Sequence, residues 1–151
     1  MRLLIVDNFM AARLSEMFES VPAIEIMQAA ELAKGFEQLR QFRPDAMVLE
    51  MMFPRGNGLD LLCYAKQNFP SVIVMVNTNA IFFRKHCLAS GADFFFDKSL
   101  EIMDLIDAIT CCRDRHVSAE QSKAHPGNGL VACSRCSRPG IRCPWHDRWD
   151  P

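Results

Sequence analysis

The sequence predicts an α/β domain built on a five-stranded parallel sheet, and three observations lead there. Short apolar or alternating runs recur five times between residues 3 and 96. Segments of helical period separate them, and Pro, Gly, Asn and Asp punctuate the joins. Parallel strands need long crossovers, so strands alternating with helices call for one sheet covered on both faces.

Taken in order, Leu3 to Val6 is an apolar run of the fully buried strand type. Phe9 to Phe18 then carries Met10, Leu14, Met17 and Phe18 at helical spacing. Ala23 to Met27 alternates through Ile24 and Ile26 as a second strand. A helix from about Ala30 to Phe42 follows, with Leu32, Phe36 and Leu39 on one face and Pro44 as its stop. Ala46 to Leu49 is the third strand, Pro54-Arg55-Gly56-Asn57-Gly58 a turn-rich loop, and Leu59 to Asn68 a helix ended near Pro70. Val72 to Val76 is the fourth strand. The next helix passes through Phe82, His86 and Leu88 to Gly91, a natural C-cap. Phe94 to Phe96 is the fifth strand, and Ser99 is placed to cap a last helix reaching about Arg115.

Composition narrows the function classes. A formal net charge of −1 with 23% charged residues argues against a wholly basic nucleic-acid binder and against global disorder. No stretch is long and apolar enough to span a bilayer. The first apolar run is too short for a signal-peptide core and is closed by Asp7, so a cytoplasmic location is expected, with cysteines held as thiols or metal ligands.

Beyond Arg115 the character changes, giving a domain over 1–115, a polar, Gly/Pro-punctuated linker over 116–130 and a Cys/His-rich tail over 131–151. In the tail, Cys133, Cys136, Cys143 and His146 follow a C-x2-C-x6-C-x2-H spacing. Zinc takes thiolate and imidazole ligands tetrahedrally, and two close pairs joined by a turn can wrap one ion. The other reading is an unstructured cysteine-containing tail with Trp145 and Trp149 as exposed aromatics. His125, Cys111 or Cys112 could replace one ligand. The tail arginines read as a solvated face rather than a nucleic-acid contact. Cys63 and Cys87 sit in apolar helical patterns and read as inert thiols.

In a doubly wound sheet the site lies beyond the carboxyl ends of the strands. With strand order 2-1-3-4-5 the switch point falls between the first and third strands. That order brings Asp7, Asn8 and Glu50 to one crevice, with Val76 ending the fourth strand and Lys98 following the fifth. Two carboxylates and a lysine then share one edge. Asp7 and Asn8 could instead serve only to cap the first helix.

The stretches Leu3-Leu4-Ile5-Val6-Asp7-Asn8, Pro44-Asp45-Ala46-Met47-Val48-Leu49-Glu50-Met51-Met52-Phe53-Pro54, Gly58-Leu59-Asp60-Leu61-Leu62 and Gly91-Ala92-Asp93-Phe94-Phe95-Phe96-Asp97-Lys98 resemble response-regulator receiver domains in order and spacing, over roughly Met1 to Arg115. The resemblance implies a flavodoxin-like fold. It also implies a family mechanism in which an aspartate takes a phosphoryl group from a partner histidine, beside a divalent cation held by that aspartate and an acidic pair.

This chain departs from that pattern at the chemical positions. Glu50 stands at the acceptor, its oxygens one methylene further out, which misplaces a nucleophile for in-line attack. Asn8 replaces one acid of the pair, so Mg²⁺ binding is expected to be weak or absent. Val76 is matched to the family's hydroxyl position and cannot donate a hydrogen bond, while Lys98 is retained. Phe95 matches an aromatic that changes rotamer on activation, and Ser99 replaces the proline common after the lysine. A Glu50–Lys98 salt bridge would imitate the contact of a phosphorylated aspartate. Glu50 thus either mimics activation or marks a dead site.

The expectation is therefore a non-enzymatic, response-regulator-like signalling protein of a phosphorelay. It would act on protein partners of a two-component or regulatory assembly with little or no aspartyl phosphorylation. Two alternatives stand beside it: a weak but working phosphoryl acceptor, and a metal or thiol sensor using the tail.

Overall fold

The computed structural model describes residues 1–19 and 21–124. Five strands, β1 (Arg2–Val6), β2 (Glu25–Ala29), β3 (Ala46–Leu49), β4 (Ile73–Thr78) and β5 (Phe94–Asp97), alternate with five helices. These are α1 (Ala11–Phe18), α2 (Leu32–Phe42), α3 (Gly58–Asn68), α4 (Arg84–Ala89) and α5 (Ile102–Ala124). The sheet is parallel throughout in the order β2-β1-β3-β4-β5, the order expected from the sequence.

Burial explains why the central strands lack polar alternation. Leu3 to Val6 and Ala46 to Leu49 are wholly buried because helices cover both faces. On one face Leu3, Ile5, Val48, Met75, Phe94 and Phe96 pack with Leu14 and Phe18 of α1 and Leu105 and Ile109 of α5. On the other, Leu4, Val6, Met47, Leu49, Val76 and Phe95 pack with Leu39, Leu61, Leu62 and Cys87. The phenylalanine run of β5 is thus split between two cores, as the period of two in a strand requires.

Local chemistry sets the joins. Asn57 Oδ1 accepts from Leu59 N and caps α3. The end of α4 is a Schellman motif: Ala92 N donates to Cys87 O and Gly91 N to Leu88 O, with Gly91 at φ 95°. The turn before α5 is held by Asp97 Oδ1, which accepts from Ser99 N and Leu100 N, and by Glu101, whose carboxylate accepts from Asp97 N. Ser99 therefore lies in the turn rather than at the cap, and the helix starts at Ile102.

Among the differences from the sequence expectation are a two-residue shift of β2, to Glu25–Ala29 from Ala23–Met27, and three with identifiable reasons. Strand β4 runs on through Asn77 and Thr78 because the ladder to β5 continues to Thr78↔Asp97. The helix expected through Phe82, His86 and Leu88 is a 3-10 turn over Ile81–Phe83 followed by the short α4, which buries Cys87 while those three residues are exposed. Helix α5 continues to Ala124, so a linker starting at 116 falls inside it. Residues 116–124 contain no Gly or Pro, which appear only from Pro126 onward. His116 Nε2 lies 3.3 Å from Asp45 Oδ2, tying this part of α5 to the amino edge of the sheet. Cys111 and Cys112 are buried against the first core. The expected element of Cys133, Cys136, Cys143 and His146 lies outside the described residues.

Candidate functional site

The carboxyl edge of the sheet gathers Asp7 after β1, Glu50 after β3, Thr78 at the end of β4 and Lys98 after β5. Lys98 Nζ sits between two carboxylates, 2.5 Å from Glu50 Oε2 and 2.7 Å from Asp7 Oδ2. All three side chains are less than a tenth exposed, so Glu50 is no solvated loop acid. Burial alone would lower the ammonium's pKa. Hydrogen bonds and charge from Asp7 and Glu50 outweigh it and hold Lys98 above the ordinary lysine value.

The remaining carboxylate oxygens are also occupied. Glu50 Oε1 accepts from Met51 N at 2.7 Å, from Met52 N at 3.1 Å and from the Thr78 hydroxyl. Asp7 Oδ1 accepts from Phe9 N at 2.8 Å and Met10 N at 2.7 Å, shaping the turn into α1. Asp7 thus holds the turn before α1 with one oxygen, without capping the helix itself, and faces Lys98 with the other. Gly58 allows the start of α3 to close on this segment: a Cβ there would stand 2.1 Å from the Glu50 carbonyl oxygen.

Among the other expected site residues, Asn8 is half-buried beside the cluster, and its Oδ1 has no hydrogen-bond partner among the described residues. Val76 does not reach the site. It is fully buried in the second core, and the hydroxyl at Glu50 comes from Thr78 instead. The assignment of Val76 as the end of β4 is corrected accordingly. Phe95 is buried with the Arg84 guanidinium 4.7 Å from its ring centre.

Two residues escaped the sequence reading, Thr78 and the fully buried Asn77, whose amide has no partner among the described residues. Their signal was the polar run Asn77-Thr78-Asn79, which reads as a loop but extends the strand. No group of three or more Asp, Glu, His or Cys side chains is arranged to hold a metal ion among the described residues.

Comparison with known proteins points one way. The family model described as response regulator receiver domain matches residues 3–110. The chain is 30% identical over 110 residues to protein-glutamate methylesterase/protein-glutamine glutaminase 1 of Oleidesulfovibrio alaskensis, covering 69% of this chain and 30% of that protein. It is 29% identical over 96 residues to the DNA-binding transcriptional activator EvgA of Escherichia coli, covering 60% of this chain and 46% of that one. The chain thus spans less than half the length of these relatives. Among solved structures, the CheY-like receiver domain protein from Methanospirillum hungatei superposes with a TM-score of 0.67 at 21% identity, over 78% of this chain and 97% of that one. The response regulator domain of Thermotoga maritima CheB does so at 0.64 and 17%, over 76% and 96%. At such identities the likeness is one of fold.

Proposed function

The chain belongs to the response regulator receiver domain family, and on that premise we propose that it acts in two-component signalling as an atypical receiver. Its work is protein–protein interaction, with little or no phosphorylation at Glu50. The observation that carries this reading is the saturation of the Glu50 carboxylate by Lys98, the Thr78 hydroxyl and two backbone N–H groups. A nucleophile must present a lone pair to the incoming phosphorus, and here Oε1 already accepts three hydrogen bonds while Oε2 is held by Lys98.

The same donors argue against a divalent ion. Lys98 holds the space between Asp7 and Glu50 where two carboxylates would otherwise face a cation, and Asn8 adds no charge. The residues do not fit Mg²⁺ in this arrangement. The contacts around Glu50 are those a phosphoryl group would attract in a working receiver, a lysine and a hydroxyl. The reading is therefore of a fixed, signal-like state rather than an empty one.

Partner contact is supported by the rim of this edge. Phe9, Met52, Ile81, Phe82, Leu100 and Met103 are each more than half exposed, in the segments that follow β1, β3, β4 and β5 and in the first turn of α5. Exposed apolar groups gathered at one edge mark interaction surfaces. Among the described residues no helix is long and apolar enough to cross a membrane.

The test is the amide NMR spectrum of the full chain with beryllofluoride and Mg²⁺, a mimic of the phosphoryl group. The reading expects no change at residues 50, 78, 95 and 98. Saturable shifts there would overturn it.

A second reading is favoured by the tail spacing. We propose that Cys133, Cys136, Cys143 and His146 bind one zinc ion, supported by the ligand types and their pairing in sequence.

A further inference from the structure

A cavity of about 380 Å³ opens beside, but not through, the Lys98 cluster. It lies between the start of α2 and the loop joining β3 to α3, with Asn8 of the β1–α1 turn on its wall. Gly56, at φ 112°, brings that loop against α2: a Cβ there would stand 2.7 Å from Leu32 Cδ2.

The lining is of mixed character. Leu32, Phe53 and Pro54 give it apolar walls, and Glu31 and Arg55 bring one charge of each sign. Neither charged side chain has a hydrogen bond or ion pair among the described residues. Asn8 Oδ1 is closed to solvent and has no partner among the described residues. Glu31 is the N-cap of α2 but makes no capping bond.

A purely apolar molecule would leave the opposite charges of Glu31 and Arg55, both exposed, unused. A simple anion would meet Glu31, and a simple cation would meet Arg55. A small dipolar molecule with an apolar portion satisfies both. The volume lies at the small end of the range for ligand pockets, which limits it to a single metabolite-sized unit. The position, past the carboxyl ends of β1, β2 and β3, is where open α/β sheets bind ligands.

We propose that this cavity binds a free α-amino acid with an apolar side chain. Its carboxylate faces Arg55, its ammonium faces Glu31, and its side chain lies on Leu32, Phe53 and Pro54. The site is separate from Glu50 and does not depend on whether Glu50 is phosphorylated.

The test is titration of the full chain with free leucine, isoleucine and valine at millimolar concentration, followed by amide NMR. The expected result is saturable shifts at residues 8, 31–33 and 53–55. Arg55→Ala should weaken binding at least ~10-fold, the loss of about one good charge-assisted contact. Ala33→Trp, an exposed position on the cavity wall, should abolish it by filling the space. Isocaproate, which lacks the ammonium, should bind far more weakly than leucine. The proposal is overturned if none of the three amino acids shifts these residues, if both variants bind leucine like the parent, or if isocaproate binds as well as leucine.

Discussion

Lys98 and Glu50, 48 positions apart in sequence, meet at 2.5 Å between Nζ and Oε2 with both side chains almost closed to solvent. An exposed pair of this kind would contribute little, ~0–1 kcal/mol. A buried one behaves differently, because removing one partner strands the other's charge. Lys98→Met should therefore cost about 3–5 kcal/mol in urea unfolding, since it leaves both Asp7 and Glu50 unpaired. Adding Glu50→Gln and Asp7→Asn to Lys98→Met should recover most of the loss. Equal stability of parent and Lys98→Met would mean the pair is open to water.

The pH dependence follows from the raised pKa of Lys98. A lysine held above its unfolded value binds its proton more tightly when folded. Its contribution is complete at neutral pH, below the unfolded pKa, and is lost as pH rises through the folded value. Thermal unfolding between neutral and strongly alkaline pH should show an alkaline fall in Tm that is smaller in Lys98→Met.

Thr78, not Val76, supplies the hydroxyl at Glu50. Thr78→Val keeps the shape but removes a donor to Glu50 and an acceptor for Ala80 N, and should cost about 1–3 kcal/mol. Val76→Thr places a hydroxyl in an apolar core and should also destabilise, but without shifting the NMR signals of Glu50 or Lys98. A shift of those signals by Val76→Thr would contradict the placement.

If the tail spacing reflects a metal site, the reduced full chain should carry about one zinc per molecule by elemental analysis. A chain ending at residue 124 should carry none, and Cys136→Ser should release most of it. A full chain free of zinc under reducing conditions would contradict the proposal.

Strand order, the two-faced core and the meeting of Asp7, Glu50 and Lys98 were legible because they follow from the period of apolar residues and from the rule that sites collect at carboxyl ends. The end of β4 was not. Asn77 and Thr78 carry polar side chains into a fully buried strand, and single-sequence patterns assign such residues to loops. The degree of burial at Lys98 was also hidden, since it depends on how the turns after β1, β3 and β5 close together. The cavity beside Asn8 arises from two loops far apart in sequence and left no motif.

The most direct test of the central claim is the intact mass of the purified chain after incubation with a small-molecule phosphodonor and Mg²⁺, beside Glu50→Asp. The account predicts no phosphoryl mass on the parent; a gain confined to Glu50→Asp would localise the lost chemistry to that side chain. Phosphoryl mass on the parent, removed by Glu50→Gln, would contradict the account and make the domain a working relay member.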